Sequence, residues 1–383
     1  MPQTSPLEHR HPLSPLLDHC PATLPRATYL DPDWYGREMA SIWSQNWVMV
    51  GRLADLAPGT MRPVKVGPAS VVLVRDPSGA VSAFHNVCRH RGSELCAAEK
   101  SVARLITCPY HAWSYAASDG RLLSTAFATP TGDFHKKDNG LLPVSHAVWN
   151  GFLFLNLTTN PGPLRPDLGL ASLSNWPMEN LITGHRHERI LACNWKVFWE
   201  NYNECLHCPG IHPELCDLVP LFGKGIMSAT EAQDWTPEKP RKPNLKPGAA
   251  SWTMTGAPCG PTFPNLSPKQ RRDGYTFVTL YPAAYVVAHV DYVRAVRLQP
   301  LGPEETRLTA EWYFPSETLA QPGFDAAEVA AFARIVLQQD GDAVERNQRG
   351  IRSPAYAQGT LMPQEFDISR FHHWVLTEME ATS

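Results

Sequence analysis

The most informative part of the chain reads Cys88-Arg89-His90-Arg91-Gly92 and, further along, Cys108-Pro109-Tyr110-His111-Ala112-Trp113. Each of these two motifs supplies one thiol and one imidazole. The segments that precede them, residues 84–87 and 102–107, are runs typical of β-strands. Gly92 permits the tight backbone turn that the first motif needs. We therefore expect two loops at the tip of a β domain, which bring two Cys and two His together.

The donor set of these loops, Cys88, His90, Cys108 and His111, has two interpretations. Two thiolates on one iron and two imidazoles on the other are the ligands of a Rieske [2Fe–2S] centre, in which the neutral imidazoles raise the reduction potential. The same four groups could hold a structural zinc ion. Zinc sites, however, usually pair like ligands at short spacing, whereas each motif here holds one Cys and one His. The pattern therefore favours the cluster, whose moderate potential suits an electron donor to an oxygenase.

Length and composition limit the classes of protein to consider. The chain has 383 residues, 43% hydrophobic and 19% charged, which is enough for two globular cores. A formal net charge of -3 gives no electrostatic reason to expect nucleic acid or an anionic membrane as a partner. No apolar run approaches the ~20 residues that span a bilayer, and the N-terminus lacks a secretory signal. We therefore expect a cytoplasmic protein, whose nine Cys serve as ligands or buried thiols more often than as disulfides.

Turns and apolar runs divide the chain into four parts. Residues 1–25, rich in Pro, are expected to be a mobile tail, and residues 26–46 a helical segment that packs with the second domain. Residues 47–160 are expected to form the antiparallel β domain that carries the four Cys and His ligands. Residues 161–383 are expected to form the second domain, entered through a Pro-rich linker.

The second domain combines strands and helices. The sequence predicts several strands over residues 275–314 and a strong helix over residues 325–350. The predicted fold class is therefore α+β, with a sheet that packs against the long helix.

A second set of possible metal ligands follows the linker. The sequence Asn201-Tyr202-Asn203-Glu204-Cys205-Leu206-His207-Cys208-Pro209-Gly210-Ile211-His212-Pro213-Glu214 is rich in His, Glu and Cys. The pattern predicts a helix over residues 191–207, which would place Glu200, Glu204 and His207 on one face.

Two imidazoles of this segment can converge. Pro209-Gly210 would end the helix that carries His207, and Pro213 would hold His212 in an extended conformation. A His pair at this spacing is by itself usually not a metal site. A cluster upstream favours the interpretation of this His pair as metal ligands, because electrons that leave a cluster need an acceptor.

Asp340 is the candidate for a third ligand. In the predicted helix it shares a face with apolar residues, namely Val329, Ala333, Val336 and Val344. A carboxylate on such a face is costly unless it is paired or binds a metal. With His207 and His212 it would complete a two-His-one-carboxylate triad, which leaves positions on iron open for dioxygen. The competing carboxylate is Asp342, which lies about 200° round the helix.

These residues resemble the motifs of one family. The two Cys-His loops resemble the Rieske motif of the ring-hydroxylating oxygenase superfamily, with Ala112 where many members carry Gly. Residues 201–214 resemble its catalytic iron motif, and Gln339-Asp340 its third-ligand helix. The resemblance implies the terminal oxygenase component of a Rieske oxygenase. It implies an antiparallel β Rieske domain and a helix-grip catalytic domain, in which an antiparallel sheet packs on a long C-terminal helix.

The resemblance also implies cofactors and partners. In the family, a carboxylate three residues before the first His links the two metal centres, usually across a subunit boundary, and Glu204 occupies that position. A [2Fe–2S] cluster, a mononuclear Fe(II) and a homotrimer are implied. A separate ferredoxin or flavin reductase would supply electrons from NAD(P)H, since this chain has no Gly-rich dinucleotide or flavin motif.

The motifs are most similar to those of the quaternary-ammonium branch, which acts on glycine betaine, stachydrine, carnitine or choline. Glu204, in place of an Asp common in aromatic-ring dioxygenases, fits that branch, as does Gly359-Thr360-Leu361-Met362-Pro363. The implied reaction hydroxylates an N-methyl group and releases formaldehyde. Aromatic faces bind methylated ammonium groups by cation–π attraction. The candidate aromatic contacts are Trp252, Phe263, Tyr281 and Tyr285.

Two other functions fit parts of the pattern. An aromatic-ring hydroxylating or O-demethylating oxygenase would use the same metal ligands. A non-catalytic electron carrier would need only the first domain, so the second ligand set argues against it. We interpret Cys205, Cys208 and Cys216 as small buried residues that are not ligands.

Overall fold

Antiparallel sheets form the framework of the computed structural model, which describes residues 11–102, 104–164, 169–232, 234–239 and 244–381. The N-terminal half contains three small sheets. The first sheet has the strand order Val48–Arg52, Phe152–Asn156 and Ser145–Trp149. The second has the order Val81–His85, Ala69–Arg75, Thr60–Val66 and Lys100–Ser101. The third has the order Leu105–Thr107, Ser114–Ala116 and Leu122–Ser124. The C-terminal half contains a five-stranded sheet in the order Ile182–Leu191, Glu305–Phe314, Val293–Gly302, Ala284–His289 and Tyr275–Leu280.

Helices connect and cover these sheets. The α-helices of the described residues are Ala27–Leu30, Pro32–Glu38, Trp195–Tyr202, Cys208–Ile211, Pro213–Leu218, Pro268–Asp273, Ser316–Leu319, Ala326–Ile351 and Phe366–Glu380, and a π-helical turn spans Met39–Trp43. Short 3-10 turns span Leu53–Asp55, Lys136–Asn139, Leu170–Leu173, Met178–Asn180, Phe222–Lys224, Ala229–Glu231 and Pro363–Glu365.

The inner strands of the five-stranded sheet are largely buried on both faces, whereas the edge strand Ile182–Leu191 is mostly exposed or half-buried. One face carries Tyr285, Val287 and Val296, which pack in the same apolar cluster as Ala333 and Val336 of the long helix Ala326–Ile351. The other face packs against the first small sheet, which contributes Phe152 and Phe154 to this contact. The residues of the five-stranded sheet on this face include Val278, Val286, Ala288, Val293 and Tyr313. A sheet packed against one long helix, beside an antiparallel β region, confirms the expected α+β class.

The long helix is continuous through Gly341. Its first turn is capped by the Asp325 carboxylate, which accepts a hydrogen bond of 2.8 Å from the Ala327 N–H. A Cβ on Gly341 would overlap the guanidinium of Arg189, which crosses the helix at this point. Glycine therefore allows the strand Ile182–Leu191 to approach the helix closely.

A buried ion pair attaches the N-terminal helices to the C-terminal half. Lys196 Nζ lies 2.6 Å from Glu38 Oε1, and both side chains are fully buried. The indole N–H groups of Trp34 and Trp195 also donate to the Glu38 carboxylate, each at 2.8 Å. Lys196 donates a further bond of 2.9 Å to Asn194 Oδ1. Because both charges are hydrogen-bonded to residues of the two regions, the pair fixes the start of helix Trp195–Tyr202.

Replacing Glu38 with Ala is expected to lower the melting temperature of the holoenzyme by about 5–15 °C, measured by calorimetry. The physical reason is that Lys196 would stay buried without a counter-charge, which costs about 3–5 kcal/mol. The double variant Glu38→Met/Lys196→Met removes both charges and should recover most of the loss. A single variant as stable as the wild type would contradict this role.

The described part of the expected N-terminal tail lies along the C-terminal region. The Thr23 N–H donates to Gly359 O at 3.1 Å, and the Leu17 N–H donates to Pro363 O at 3.0 Å. Leu16 and Leu24 are buried. Residues 1–10 lie outside the described residues, and the mobility of the tail stays a prediction.

The expected linker contains buried residues. Leu170, Leu173 and Trp176 pack on the five-stranded sheet, on the face turned away from the long helix. Residues 165–168 of the same segment lie outside the described residues. The four-part division of the chain remains our prediction.

Candidate metal centres

The two Cys-His loops have the same backbone design. The N–H of Gly92 donates to Cys88 O at 3.0 Å, and the N–H of Ala112 donates to Cys108 O at 3.1 Å. Both residues have a positive φ, 78° for Gly92 and 56° for Ala112. The left-handed conformation at position 112 explains why glycine is favoured there, and alanine adopts it at a modest cost.

The loops bring the four predicted donors to one end of the β region. The His90 and His111 rings lie 4.8 Å apart between centroids, and the ring of Trp113 stacks on His90 at 4.6 Å. Cys88 and Cys108 are buried, whereas His90 is exposed. The thiols therefore lie inside the tip and the imidazoles towards its surface.

The surroundings suit thiolates and neutral imidazoles. Burial raises the pKa of Cys108, but the backbone N–H groups of Tyr110 and His111 outweigh it, so the pKa is lowered overall. The Tyr115 hydroxyl lies 3.1 Å from Cys88 Sγ and accepts a hydrogen bond from the Arg89 N–H. The pKa of His111 is lowered by desolvation and, to a smaller extent, by a neighbouring imidazole and arginine. The lowered pKa values of Cys108 and His111 favour the forms that bind iron, whereas burial raises the pKa of Cys88.

The second set of donors also converges. Asp340 Oδ1 lies 3.0 Å from His212 Nε2 and 3.6 Å from His207 Nε2. His207 precedes the short helix Cys208–Ile211, and His212 joins that helix to the next one. Asp340 reaches them from the long helix. Two donors therefore come from one short segment, and the third lies 128 residues beyond His212 in the chain.

The helix predicted over residues 191–207 is wrong at its end. It stops at Tyr202, and Glu204 and His207 lie in the turns that follow. Pro209, expected to end a helix, instead begins one, a position where its missing N–H is tolerated. Glu200, Glu204 and His207 line one cavity, but the Glu200 carboxylate accepts hydrogen bonds from Tyr29 at 2.6 Å and from His372 at 2.8 Å.

Each imidazole is oriented through its Nδ1 atom. His212 Nδ1 donates to Gln339 Oε1 at 2.7 Å, and His207 Nδ1 donates to a carboxylate oxygen of Glu204. In both rings the Nε2 atom then faces Asp340. A hydrogen bond on one ring nitrogen fixes the tautomer in which the other can bind a metal. Glu204 and Gln339 thus orient the two imidazoles and are not themselves candidate metal ligands.

The charges in this group stabilise an ionised carboxylate. Burial raises the pKa of Asp340, but hydrogen bonds from His207 and His212 outweigh this and hold it well below its usual range. Burial lowers the pKa of His207, whereas bonds to Asp340 and Glu204 raise it, to about 9. The competing carboxylate, Asp342, instead points outward and pairs with an arginine at 2.8 Å.

Two of the three cysteines near this group are bonded to each other. Cys205 and Cys208 form a disulfide, which corrects the expectation that they are thiols. A loop with only two residues between the two Cys brings their sulfurs together. Cys208 Sγ also lies near His207 and His212, but a disulfide sulfur is not the thiolate that binds metals. Cys216 has a free thiol, 3.3 Å from the Cys208 carbonyl oxygen.

The predicted aromatic contacts are divided among three places. Tyr285 stacks on Tyr202 at 4.1 Å, beside the start of the metal-ligand segment. Trp252 packs between the sheet and the long helix. Tyr281 stacks on Trp374 of the C-terminal helix at 5.1 Å. Phe263 belongs to the cluster on the opposite face of the sheet, so the sheet separates it from the helix that carries the candidate ligand.

Two polar residues near these rings were not predicted from the sequence. Arg294 and His289 are buried on the sheet face that meets the long helix, and the ring nitrogens of His289 have no hydrogen-bond partner among the described residues. The sequence contains no clear signal for them, because strand Val293–Gly302 also contains Arg297 and Gln299 and His289 is the last residue of its strand.

Comparison with known proteins identifies the family. Residues 177–381 match the model described as "Ring hydroxylating alpha subunit (catalytic domain)". Residues 46–135 match the model of the Rieske [2Fe-2S] domain. The chain belongs to the ring-hydroxylating oxygenase alpha-subunit family. It is therefore an enzyme with a Rieske cluster and a catalytic domain that uses mononuclear iron, and it receives electrons from a partner reductase.

Individual relatives are similar to this alpha subunit along most of its length. The glycine betaine monooxygenase oxygenase subunit of Chromohalobacter salexigens is 30% identical over 92% of this chain and 84% of its own length. The carnitine monooxygenase oxygenase subunit of Acinetobacter baumannii is 29% identical over 92% of this chain and 94% of its own. A solved quaternary ammonium Rieske monooxygenase shares the fold, with a TM-score of 0.71, 23% identity, and coverage of 94% of this chain and 95% of that one.

These matches decide between the alternatives considered above. The Rieske domain model favours the iron–sulfur cluster over zinc, and the catalytic domain excludes a simple electron carrier. The described residues of the alpha subunit contain no helix long and apolar enough to cross a membrane.

Proposed function

We propose that Cys88, Cys108, His90 and His111 hold the [2Fe–2S] cluster of this oxygenase. The donors fit the group because buried thiols and exposed imidazoles converge at the tip of two matching loops. The thiols would bind one iron and the imidazoles the other. The exposed imidazole edge is then the side from which electrons leave.

We also propose that His207, His212 and Asp340 bind the mononuclear Fe(II). Two imidazole nitrogens and a carboxylate oxygen form the facial donor set of non-haem iron oxygenases. The fit rests on a buried carboxylate that faces two Nε2 atoms, while Glu204 and Gln339 hold the opposite nitrogens. When bound, the iron supplies the site at which dioxygen is reduced with electrons from the cluster.

The chain is proposed to act as a homotrimer, in which the cluster of one subunit serves the iron site of the next. A cavity of about 350 Å³ adjoins the iron site; it is lined by residues that include Glu200, Asn201, Glu204, His207, Tyr356 and Glu365. Within the described part of the chain, none of residues 47–160 lines it. The solved relative is described as showing inter-subunit electron transfer. A neighbouring cluster tip at this cavity would meet Glu204, the carboxylate joined to His207.

The proposed reaction removes one methyl group from a small quaternary ammonium compound such as glycine betaine. One oxygen atom of dioxygen enters a C–H bond of an N-methyl group, and the other leaves as water after two electrons and two protons are added. The resulting N-hydroxymethyl group loses formaldehyde and leaves the demethylated amine. A ferredoxin or flavin reductase would deliver the electrons from NAD(P)H. The relatives that act on betaine-type compounds and the aromatic rings beside the iron site support this assignment.

The converging triad of buried His212 with half-buried His207 and Asp340, beside the stacked rings of Tyr202 and Tyr285, is the observation that carries the proposal. With a reconstituted reductase, the oxygenase is expected to release formaldehyde from glycine betaine, proline betaine or carnitine, in step with oxygen uptake. Benzoate-type compounds and aryl methyl ethers serve as the comparison. Turnover of these aromatic compounds together with inactivity towards every betaine would reject the proposed substrate class.

A further inference from the structure

A buried arginine lies in the five-stranded sheet without a partner. Arg294, in strand Val293–Gly302, is 4% exposed. Its Nε and Nη1 atoms are buried and form no hydrogen bond with any described residue. The neighbouring strand residues are Val287 on one side and Trp312 on the other. An ionised guanidinium thus lies between apolar or aromatic neighbours.

Three other side chains around Arg294 also lack partners for buried polar atoms. Both ring nitrogens of His289, Nε1 of Trp252 and the hydroxyl of Tyr275 make no hydrogen bond to described residues. The Trp252 ring lies 5.9 Å from the guanidinium carbon of Arg294, 5.4 Å from the His289 ring and 5.0 Å from the Tyr275 ring. We call Arg294, His289, Trp252 and Tyr275 the arginine cluster.

Arg52 and Arg297 also leave a buried Nε atom without a partner among the described residues, but each of them, unlike Arg294, makes hydrogen bonds through other atoms. Arg52 donates to Met178 O and Leu181 O, at 2.5 and 3.1 Å. Arg297, on the same strand as Arg294, pairs with Glu311 at 3.1 Å. Burying a charge without a counter-charge costs several kcal/mol, and unsatisfied buried donors are rare in native proteins. The arginine cluster therefore lacks an acceptor that a ligand could provide.

The arginine cluster and the iron site share one region between sheet and helix. On strand Ala284–His289, Tyr285 lies two residues before Val287, the neighbour of Arg294 in the next strand, and its ring stacks on Tyr202, the last residue of the helix before the candidate iron ligands, at 4.1 Å. On the long helix, Phe332 packs on Trp252 at 6.0 Å. Asp340 lies on the same helix face as Phe332, eight residues along the chain, or about 12 Å.

We propose that the arginine cluster binds the carboxylate of a zwitterionic substrate, whose trimethylammonium end points towards His207, His212 and Asp340. This inference rests on the proposed function and narrows it. The guanidinium and the unpartnered N–H and O–H groups would donate to the carboxylate. The rings of Tyr285 and Tyr202 would face the ammonium group. Betaines that carry a carboxylate fit this arrangement, whereas choline, which lacks one, leaves the donors unpaired.

Binding to the anaerobic holoenzyme tests the assignment directly. By titration calorimetry, the wild type is expected to bind glycine betaine or carnitine at least about 10-fold more tightly than choline or the methyl ester of glycine betaine. Replacing Arg294 with Met should weaken glycine betaine binding by about 10- to 100-fold and change choline binding little. The matched control is Arg307→Met, since Arg307 lies in the same sheet and pairs only with Gln299 among the described residues.

Thermal stability separates a binding role from a structural one. Because Arg294 makes no hydrogen bond or ion pair with the described residues, Arg294→Met should leave the melting temperature of the substrate-free holoenzyme unchanged or raise it. Glycine betaine should raise the melting temperature of the wild type and not that of the variant. A structural arginine would behave in the opposite way, with a clear loss of stability on replacement.

The outcomes distinguish this inference from the proposed function. If no betaine, carnitine or choline yields formaldehyde, the proposed function fails and the zwitterion assignment falls with it. If choline is bound and demethylated as well as glycine betaine, only the carboxylate assignment is overturned. The carboxylate assignment would also be overturned if Arg294→Met weakened the binding of choline and of glycine betaine equally and lowered the melting temperature.

Discussion

Replacement of Asp340 by Ala is expected to abolish substrate oxidation and to empty the mononuclear iron site while the [2Fe–2S] cluster stays in place. The variant would keep two imidazoles but lose the charged ligand, and the buried His207 and His212 would lose the carboxylate that they now face at 3.6 and 3.0 Å. Iron analysis should fall from three to two atoms per chain, with the visible absorbance of the cluster unchanged.

The matched control for this experiment is Asp342→Ala. Asp342 lies on the same helix two positions further along, but its side chain is 56% exposed and pairs with Arg189. Loss of an exposed ion pair costs about 0–1 kcal/mol, so iron content and turnover should change little. If Asp340→Ala retained all three iron atoms, or if Asp342→Ala lost one, the ligand assignment would be wrong.

Replacement of Glu204 by Gln is expected to slow turnover by about 10- to 100-fold while both metal centres are retained. The Glu204 carboxylate accepts a hydrogen bond from His207 Nδ1 and another from the Leu206 N–H. An amide keeps the shape of the group but removes the charge that holds His207 in its tautomer. It also removes the charge at the cavity where we place the neighbouring subunit's cluster.

Two measurements isolate the role of Glu204. Single-turnover kinetics with a pre-reduced cluster should show slower cluster oxidation in the variant, whereas iron content stays at the wild-type value. Glu200→Gln is the control, because Glu200 lines the same cavity but bonds to Tyr29 and His372. Normal cluster oxidation in Glu204→Gln would remove the proposed relay role.

The cluster loops could be predicted from the sequence because each is a local structure. Within five or six residues, a Cys, a His and a residue with positive φ close a hydrogen-bonded turn, so spacing alone carries the geometry. Asp340 could also be predicted from the sequence, because a carboxylate on an apolar helical face is costly unless it is paired or binds a metal. In both cases the residues that form the pattern lie within a single loop or a single helix.

The path of the chain between Glu200 and His212 could not be predicted in the same way. Helical periodicity runs smoothly through residues 191–207, and the signal that ends the helix at Tyr202 lies in later contacts. The link between Cys205 and Cys208 and the capping of the next helix by His207 depend on the folded turn. Boundaries set by tertiary contacts override local propensity.

The arginine cluster shows a different limit of sequence analysis. Arg294 and His289 are ordinary residues of predicted strands until their pairing with neighbouring strands places them on the face that meets the long helix. That assignment needs the register of several strands, which a single sequence does not specify. Their lack of partners is then visible only in three dimensions.

The pairing of Glu38 with Lys196 spans 158 residues, and Arg26 bonds to the carbonyl oxygen of Ile351, 325 residues away. On a ribosome that adds about 5–20 residues per second, the first helices would therefore wait roughly 10–30 s for Lys196 and longer for Ile351. The two sheets that carry the cluster loops, complete by Ser124, can assemble during that interval. Nascent chains stalled after residue 160 should thus protect the β region from proteases while Glu38 remains accessible.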